Sequence, residues 1–356
     1  MMERRRKQPS VDAQPAPLSR PTGGIFSLLA LFPYPQPRAP NLTGCHYYVI
    51  KSQTAVECSV EFPGPVSPGF TLAPLRRGGG DPCYVTASDG TIWRTSLMRT
   101  GPVTARISRS GPRTIGCEAW GSGAAEFADA FPALLGADDD ADGFAPVEPT
   151  IAEARRRVPH LRLGRTGRVL EALIPAVIEQ RVAGKDAFRA WRLLVTKFGS
   201  PAPGPAPARM RVPPTAEVWR RIPSWEFHLA NVDPGRARTV VGCAQRADSL
   251  ERLVTRGSER AREALTSLPG VGVWTAAETA QRAFGDADAL SVGDYHLAKV
   301  VGWSLLGHPI DDDAMVELLA PMRPHRHRAV RLLEVSGLAR NPRFGARRAI
   351  PDLRAI

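Results

Sequence analysis

The residues whose types and spacing could do chemistry lie late in the chain. They are Leu268-Pro269-Gly270-Val271-Gly272 and, 22 positions after Gly272 (294 − 272), Asp294 within Val292-Gly293-Asp294-Tyr295-His296-Leu297. The two glycines permit φ > 0 and leave a backbone bare enough to press against a ligand. Ser258 to Ser267 before them and Trp274 to Phe284 (WTAAETAQRAF) after them carry apolar residues at helical spacing, so the stretch reads as a turn between two helices. Amides exposed at the start of the second helix, at the positive end of its dipole, make a site for a phosphate group. A glycine corner between helices is by itself a common packing device. An isolated acid on a Gly-bounded loop at this distance adds the chemistry. A carboxylate there can stabilise an oxocarbenium-like sugar or orient an attacking water. It can equally cap a helix that starts at Tyr295, and the two roles can coexist.

The segment LPGVGVWTAAETAQRAFGDADALSVGDYHL (268–297) resembles the signature of the helix-hairpin-helix DNA glycosylase superfamily, and most closely its 3-methyladenine DNA glycosylase II branch, where Trp-Thr-Ala also follows the hairpin. The resemblance is densest over residues 255–337, weaker through 150–254 and fainter over 66–135. It implies that Leu268, Gly270, Val271, Gly272 and Thr275 grip the DNA backbone and that Asp294 is the catalytic aspartate. Bifunctional members carry a Schiff-base lysine where this chain has Trp274, and an indole cannot attack a sugar. The implied enzyme is therefore monofunctional, with water as the nucleophile.

Trp274 could also stack on a flipped base and favour cationic alkylated purines, or simply pack between helices. The rest of the expected base pocket is Glu278, Trp225, His228 and Tyr295. Glu278 stands where the branch often has a tyrosine, and Glu334 where it has a pocket tryptophan; a carboxylate there could pair with a charged base. Gln180 and Arg181 form a loop before Gly184, where Arg181 would fill the gap left by a flipped base or contact phosphate. His325, Arg326, His327 and Arg328 read as a phosphate-facing or solvated patch rather than a metal site, with Arg326 the expected DNA contact.

Composition agrees. Forty-seven Lys and Arg against 35 Asp and Glu give a net charge of +12, which favours a polyanionic partner. No apolar run is long enough to span a bilayer. Ile25 to Phe32 (IFSLLALF) is too short for that, and it lies too far from Met1 and lacks the cleavage site of a secretory signal. Cys45, Cys58, Cys83, Cys117 and Cys243 show no CxxC spacing, which points to a reducing, cytoplasmic setting associated with the nucleoid. No iron–sulfur cluster, other metal or organic cofactor is expected. The resemblance leaves room for a monovalent cation on hairpin backbone carbonyls.

The elements around these motifs give an α+β fold: a mainly helical body preceded by a small antiparallel sheet. Residues 1–65 are basic and Pro-rich and read as a disordered extension. Residues 66–145 form the sheet domain, with strands at Tyr84–Ala87, Thr91–Met98, Val103–Ser108 and Thr114–Trp120 separated by Gly-containing turns, then a helix near Ala124–Leu135. Asp138-Asp139-Asp140 reads as a solvated linker. Residues 146–340 are helical, with Pro175 expected to kink or divide the helix over Val169–Val182, and 201–214 a Pro-rich connector. Residues 341–356 are a basic tail. The expected function is base-excision repair by a monomer acting on damaged duplex DNA, most simply alkylated purines. A non-catalytic hairpin protein that binds bent or damaged duplex is the alternative from another class, and a basic structural protein a remoter one.

Overall fold

The computed structural model describes residues 46–51, 55–340 and 352. The expectations for residues 1–45 and for the basic tail beyond 340 lie outside these residues, Asp352 apart.

The sheet is larger than the sequence indicates. Strands β1 (His46–Lys51) and β2 (Val56–Glu61) precede a short helix, α1 (Pro68–Leu72). Strands β3 (Tyr84–Thr86), β4 (Ile92–Met98), β5 (Gly101–Arg109) and β6 (Thr114–Trp120) follow. All pair antiparallel in the order β1-β2-β6-β5-β4-β3. Residues 46–51 and 56–61 thus belong to the sheet and not to the expected N-terminal extension. In β2, Cys58, Val60 and then Phe62 turn inward at the two-residue period, and only pairing with β6 shows that they belong to a core. Helix α2 (Ala124–Leu134) lays Phe127, Phe131 and Leu134 over the inner face, against Val60, Val103, Ile107 and Ile115.

The helical body follows: α3 (Pro149–Arg157), α4 (Val169–Ile178), α5 (Gly184–Phe198), α6 (Ala216–Arg221), α7 (Ser224–Leu229), α8 (Pro234–Ala244), α9 (Ala247–Glu251), α10 (Ser258–Thr266), α11 (Val273–Ala283), α12 (Leu297–Leu305), α13 (Asp312–Leu318) and α14 (Arg326–Ser336). The connector after α5 holds a small two-stranded ladder, β7 (Ser200–Pro201) with β8 (Arg211–Val212). No helix among the described residues is long and apolar enough to cross a membrane.

Helix α4 is the axis of the body, packed against α8 and α11 and buried from Ala172 to Ile178. Pro175 does not divide it, and the helix runs through to Ile178. A proline inside a helix costs about 3 kcal/mol, whereas full burial of Leu173, Ile174, Val177 and Ile178 contributes roughly 1.5–3 kcal/mol each. Packing wins. A separate cluster joins Phe144, Ile151 and Val158 to Val301, Met315, Leu319 and Leu333, uniting α3 with α12, α13 and α14.

Polar contacts tie the sheet to the body. Glu171 on α4 takes Arg94 and Ser96 of β4, Trp191 Nε1 donates to Asp81 at 3.0 Å, and Arg282 Nε on α11 donates to the carbonyl of Pro74 at 3.0 Å. The last contact brings the segment after α1 to the face of α11 and forms one wall of the site described next.

Candidate active site

The hairpin is the turn between α10 and α11. Gly270 has φ +82°, and a Cβ there would come within 2.1 Å of Thr239 Oγ1, so glycine is required twice over. Gly272 differs. Its backbone is extended (φ −92°, ψ −179°), a Cβ would meet nothing within 4 Å, and the expected need for φ > 0 does not apply. Gly272 heads α11 without any side-chain cap, which leaves the first-turn amides of that helix open to an incoming acceptor. Gln180, in the turn after α4, donates through Nε2 to the Gly270 carbonyl and to Thr275 Oγ1, both at 2.8 Å, and so fastens that turn to the hairpin.

Two residues past Gly272, Trp274 Nε1 donates to Asp294 Oδ2 at 3.2 Å. The other carboxylate oxygen, Oδ1, accepts the amides of His296 and Leu297 at 2.9 and 3.0 Å. Asp294 therefore caps α12, which begins at Leu297 rather than Tyr295.

Asp294 lines a cavity of about 340 Å³ bounded by Phe70, Thr71 and Pro74 after the second strand, by Arg162 to Gly164, by α11 and by α14. On α11, Glu278, Gln281 and Arg282 share one face at the i, i+3, i+4 spacing. Glu278 accepts Ser291 Oγ at 2.5 Å on one oxygen and Arg282 Nη1 at 2.7 Å on the other. Burial opposes ionisation of Glu278, but the Arg282 guanidinium, the Ser291 hydroxyl and Arg77 outweigh it and hold its carboxyl below the usual carboxylate range. Burial likewise drives the His327 imidazole well below its ordinary range, and Arg331, Arg282 and Arg328 push the same way. The cavity is polar, with a neutral histidine set among arginines.

No family model matches the chain. A curated protein of Mycobacterium tuberculosis, the "Probable bifunctional transcriptional activator/DNA repair enzyme AlkA", is 31% identical over 210 residues, covering 55% of this chain and 40% of that protein. The chain thus spans less than half the length of the curated relatives it matches. Among solved structures, 3-methyladenine DNA-glycosylase from Archaeoglobus fulgidus superposes with a TM-score of 0.65 at 19% identity, over 78% of this chain and 98% of that one. The apo 8-oxoguanine glycosylase/lyase of Clostridium acetobutylicum gives 0.59 at 13%, over 80% and 97%. The chain therefore has the fold of the helix-hairpin-helix DNA glycosylases.

Within this glycosylase fold the sequence-derived residues fall into three groups. Asp294, Trp274, Glu278, Gly270, Gly272 and Gln180 come together around the hairpin and the cavity, although Trp274 spends its N–H on Asp294 and does not itself line the cavity. Glu278 is no open carboxylate for a charged base, since both its oxygens are engaged, and Glu334 at the rim is paired with Arg331. Arg181 stands exposed at the tip of the turn after α4, with φ +55°, which is rare for a side-chain-bearing residue.

The remaining placements correct expectation. Trp225 and Tyr295 are 63% exposed and, like His228, do not line the cavity, although Asp294 and His296 on either side of Tyr295 do. Tyr295 makes an edge contact with the His296 ring and lies under Lys299. Val271 and Thr275 are buried, and Leu268 packs on the core, so the hairpin can offer DNA its backbone but not these side chains. Arg326 is buried against Asp288 (Nη2 to Oδ2 2.6 Å) and cannot reach a phosphate. Arg328 is buried against Asp139, which removes that acid from the supposed solvated linker, and His325 accepts from Arg328 Nε. The apparent basic patch is an internal network. A charged residue on a short helix gives no sign in the sequence of whether it has a partner far along the chain.

Arg282, Gln281 and Phe70 line the cavity without being singled out by the sequence, and His327, expected in a phosphate-facing or solvated patch, lines it as well. Gln281 and Arg282 were accessible in principle, because they share the face of α11 set by Glu278. Phe70 was not, since it comes from the far side of the fold. Among the described residues no group of three or more His, Cys, Asp or Glu is placed to hold a metal ion, and Cys58, Cys83, Cys117 and Cys243 are free and buried.

Proposed function

We propose that the protein is a monofunctional DNA glycosylase that draws a damaged purine from duplex DNA into the 340 Å³ cavity and hydrolyses its N-glycosidic bond. The observation that carries this reading is the Trp274–Asp294 hydrogen bond, which fixes a carboxylate at the cavity wall immediately behind a hairpin whose amides are open to a phosphate. The hairpin and the dipole of α11 hold the backbone. Asp294, locked by two amides and an indole, faces the sugar and stabilises the positive charge that develops as the base departs, or aims the water that replaces it. Trp274 in place of a lysine leaves no amine to form a Schiff base.

In this reading residues 146–340 supply the hairpin, the acid and most of the cavity, and the sheet domain closes it through Phe70, Thr71 and Pro74. Arg181 is the plug for the vacated stack. The protein acts as a monomer on DNA and needs no organic cofactor. A monovalent cation on hairpin carbonyls is compatible, since the Leu268 and Gly270 oxygens, though each accepts one N–H, keep a second lone pair; no step depends on it. The sequence resemblance assigns the lesion to the alkylated purines. Incubation with alkylated duplex DNA and chromatography of the released bases tests the reading: free base is expected, and salt-sensitive binding without release would leave only a DNA-binding role.

A further inference from the structure

The turn that presents Arg181 is held from the sheet side by a pair of charges to which the proposed reaction gives no role. Arg181 has φ +55°, a conformation that costs a side-chain-bearing residue energy and persists only where its surroundings impose it. Its neighbours in the chain are each fastened to a different element. The Ile178 carbonyl accepts Nη1 of Arg236 on α8 at 2.6 Å, the Gln180 side chain holds Gly270 and Thr275, and Val182 packs on the core of the helical body. Glu179 reaches the other way. Its Oε1 lies 3.3 Å from Nε of Arg77, in the segment between α1 and β3, and both atoms are buried and make no hydrogen bond elsewhere among the described residues.

Arg77 is itself fixed before it meets Glu179. Its backbone amide donates to Asp81 Oδ2 at 2.7 Å and its Nη1 to the Pro74 carbonyl at 2.9 Å. Asp81 is held in turn by Trp191 Nε1 on α5. The Arg77 side chain is 7% exposed and that of Glu179 17%, so water and salt screen the pair weakly. Arg282, the other guanidinium that acts on Glu179, is committed to Glu278 and the Pro74 carbonyl. Without Arg77 the Glu179 carboxylate is a buried charge short of its partner, and the cheapest relief is to swing it toward solvent. Glu179 closes α4, so that movement frays the last turn and frees Arg181 to relax to a negative φ.

We propose that Arg77, acting through Glu179, is a positioning residue: it holds the turn after α4 in the strained form that presents Arg181 to the base stack, and so sets how fast a paired base leaves the duplex while taking no part in bond cleavage. The proposal rests on the glycosylase reading, in which Arg181 fills the vacated stack. It gives the sheet domain a part in extraction as well as in closing the cavity.

Two duplexes with a single 7-methylguanine test this. One pairs the lesion with cytosine; the other sets it opposite an abasic analogue, where less pairing is lost on extraction. Single-turnover base release is measured for each and corrected for spontaneous loss. Arg77→Met should lower release from the paired duplex about tenfold, within the range that a displaced group costs. Release from the unpaired duplex, and affinity for undamaged duplex, should change by no more than about twofold, the scatter of uncoupled sites. Arg77→Lys, which keeps the charge, should recover most of the loss. Arg181→Ala should show the same pattern, and Arg77→Met combined with Arg181→Ala should be no slower than Arg181→Ala alone, since nothing is left to position. Glu179→Gln carries the same cycle if Arg77→Met does not fold. Equal losses on both duplexes, or losses that multiply in the double variant, make the pair merely structural and overturn the inference. An Arg181→Ala protein that matches the wild type on the paired duplex overturns it too, and leaves the glycosylase reading standing. Release of neither this base nor any other from alkylated duplex overturns both.

Discussion

Trp274 and Asp294 are joined by a single hydrogen bond of 3.2 Å, and through it the helix that follows the hairpin is tied to the loop that carries the acid. The indole donates to Oδ2 while the His296 and Leu297 amides hold Oδ1, so the carboxylate plane is fixed from two directions. Positioning and capping are one arrangement here.

Asp294→Asn removes the charge and keeps the shape. Base release should fall by a factor of at least about 10³, the scale on which a preorganised charge stabilises a developing cation, while duplex affinity is unchanged or slightly higher. Trp274→Phe keeps an aromatic but frees Oδ2, and should lower the single-turnover rate by about tenfold with little change in DNA affinity. A near-normal rate in Asp294→Asn would reduce the residue to a helix cap.

The product should be intact abasic DNA that breaks only on later treatment with alkali. Borohydride added during turnover should trap no protein–DNA adduct. A trapped adduct would demand an amine other than the one Trp274 displaces, and Lys299, whose ammonium lies 5.2 Å from the Tyr295 ring centre, is the first to mutate.

The hairpin glycines should separate by assay. Gly270→Ala forces a methyl into Thr239 and a strained φ, so its melting temperature should drop, with a loss of roughly 1–3 kcal/mol. Gly272→Ala points into open space and should melt like the wild type. It should nonetheless weaken binding to damaged and undamaged duplex by a similar factor, about 1–3 kcal/mol, because phosphate contacts carry no sequence information. Unaltered affinity in Gly272→Ala would end the clamp idea.

Arg326 and Arg181, both expected from the sequence to contact DNA, should separate by assay. Arg326→Ala breaks a buried pair and should cost about 2 kcal/mol or more of stability at neutral pH. Burial raises the cost of the Asp288 charge, yet Arg326 prevails and holds that carboxyl below its ordinary range. The pair's contribution is therefore present above the unfolded aspartate pKa and disappears as pH falls through the lower folded value, so the wild-type and Arg326→Ala melting curves should converge in acid. Arg181→Ala should leave the melt untouched and weaken binding to lesion-bearing duplex. Diverging melts in acid, or a stability loss in Arg181→Ala, would refute these assignments.

What the sequence made legible follows from locality. The hairpin, Asp294 and strands β3 to β6 are written in short windows of glycine spacing and alternation, and the structure has them within a residue or two. The partners of Arg326, Arg328 and Glu278 could not be read, because each charge looks solvated until a distant segment covers it. Trp225 and Tyr295 failed for the opposite reason: large rings suggest a pocket or a core, and here they face solvent. The cavity itself needs six separate stretches of chain, and no window contains it.

Gln180 gives the site a mechanical property. One side-chain amide holds both the Gly270 carbonyl and Thr275, and Arg181 is its covalent neighbour. On the proposed reading, the grip on the phosphates and the probe of the base stack are then a single rigid jaw. Wherever the protein sits on DNA it leans Arg181 on the stack, so weakly paired positions would yield to a force applied equally everywhere. Lesion search would need no separate signal to begin extraction; the duplex's own softness would be the trigger.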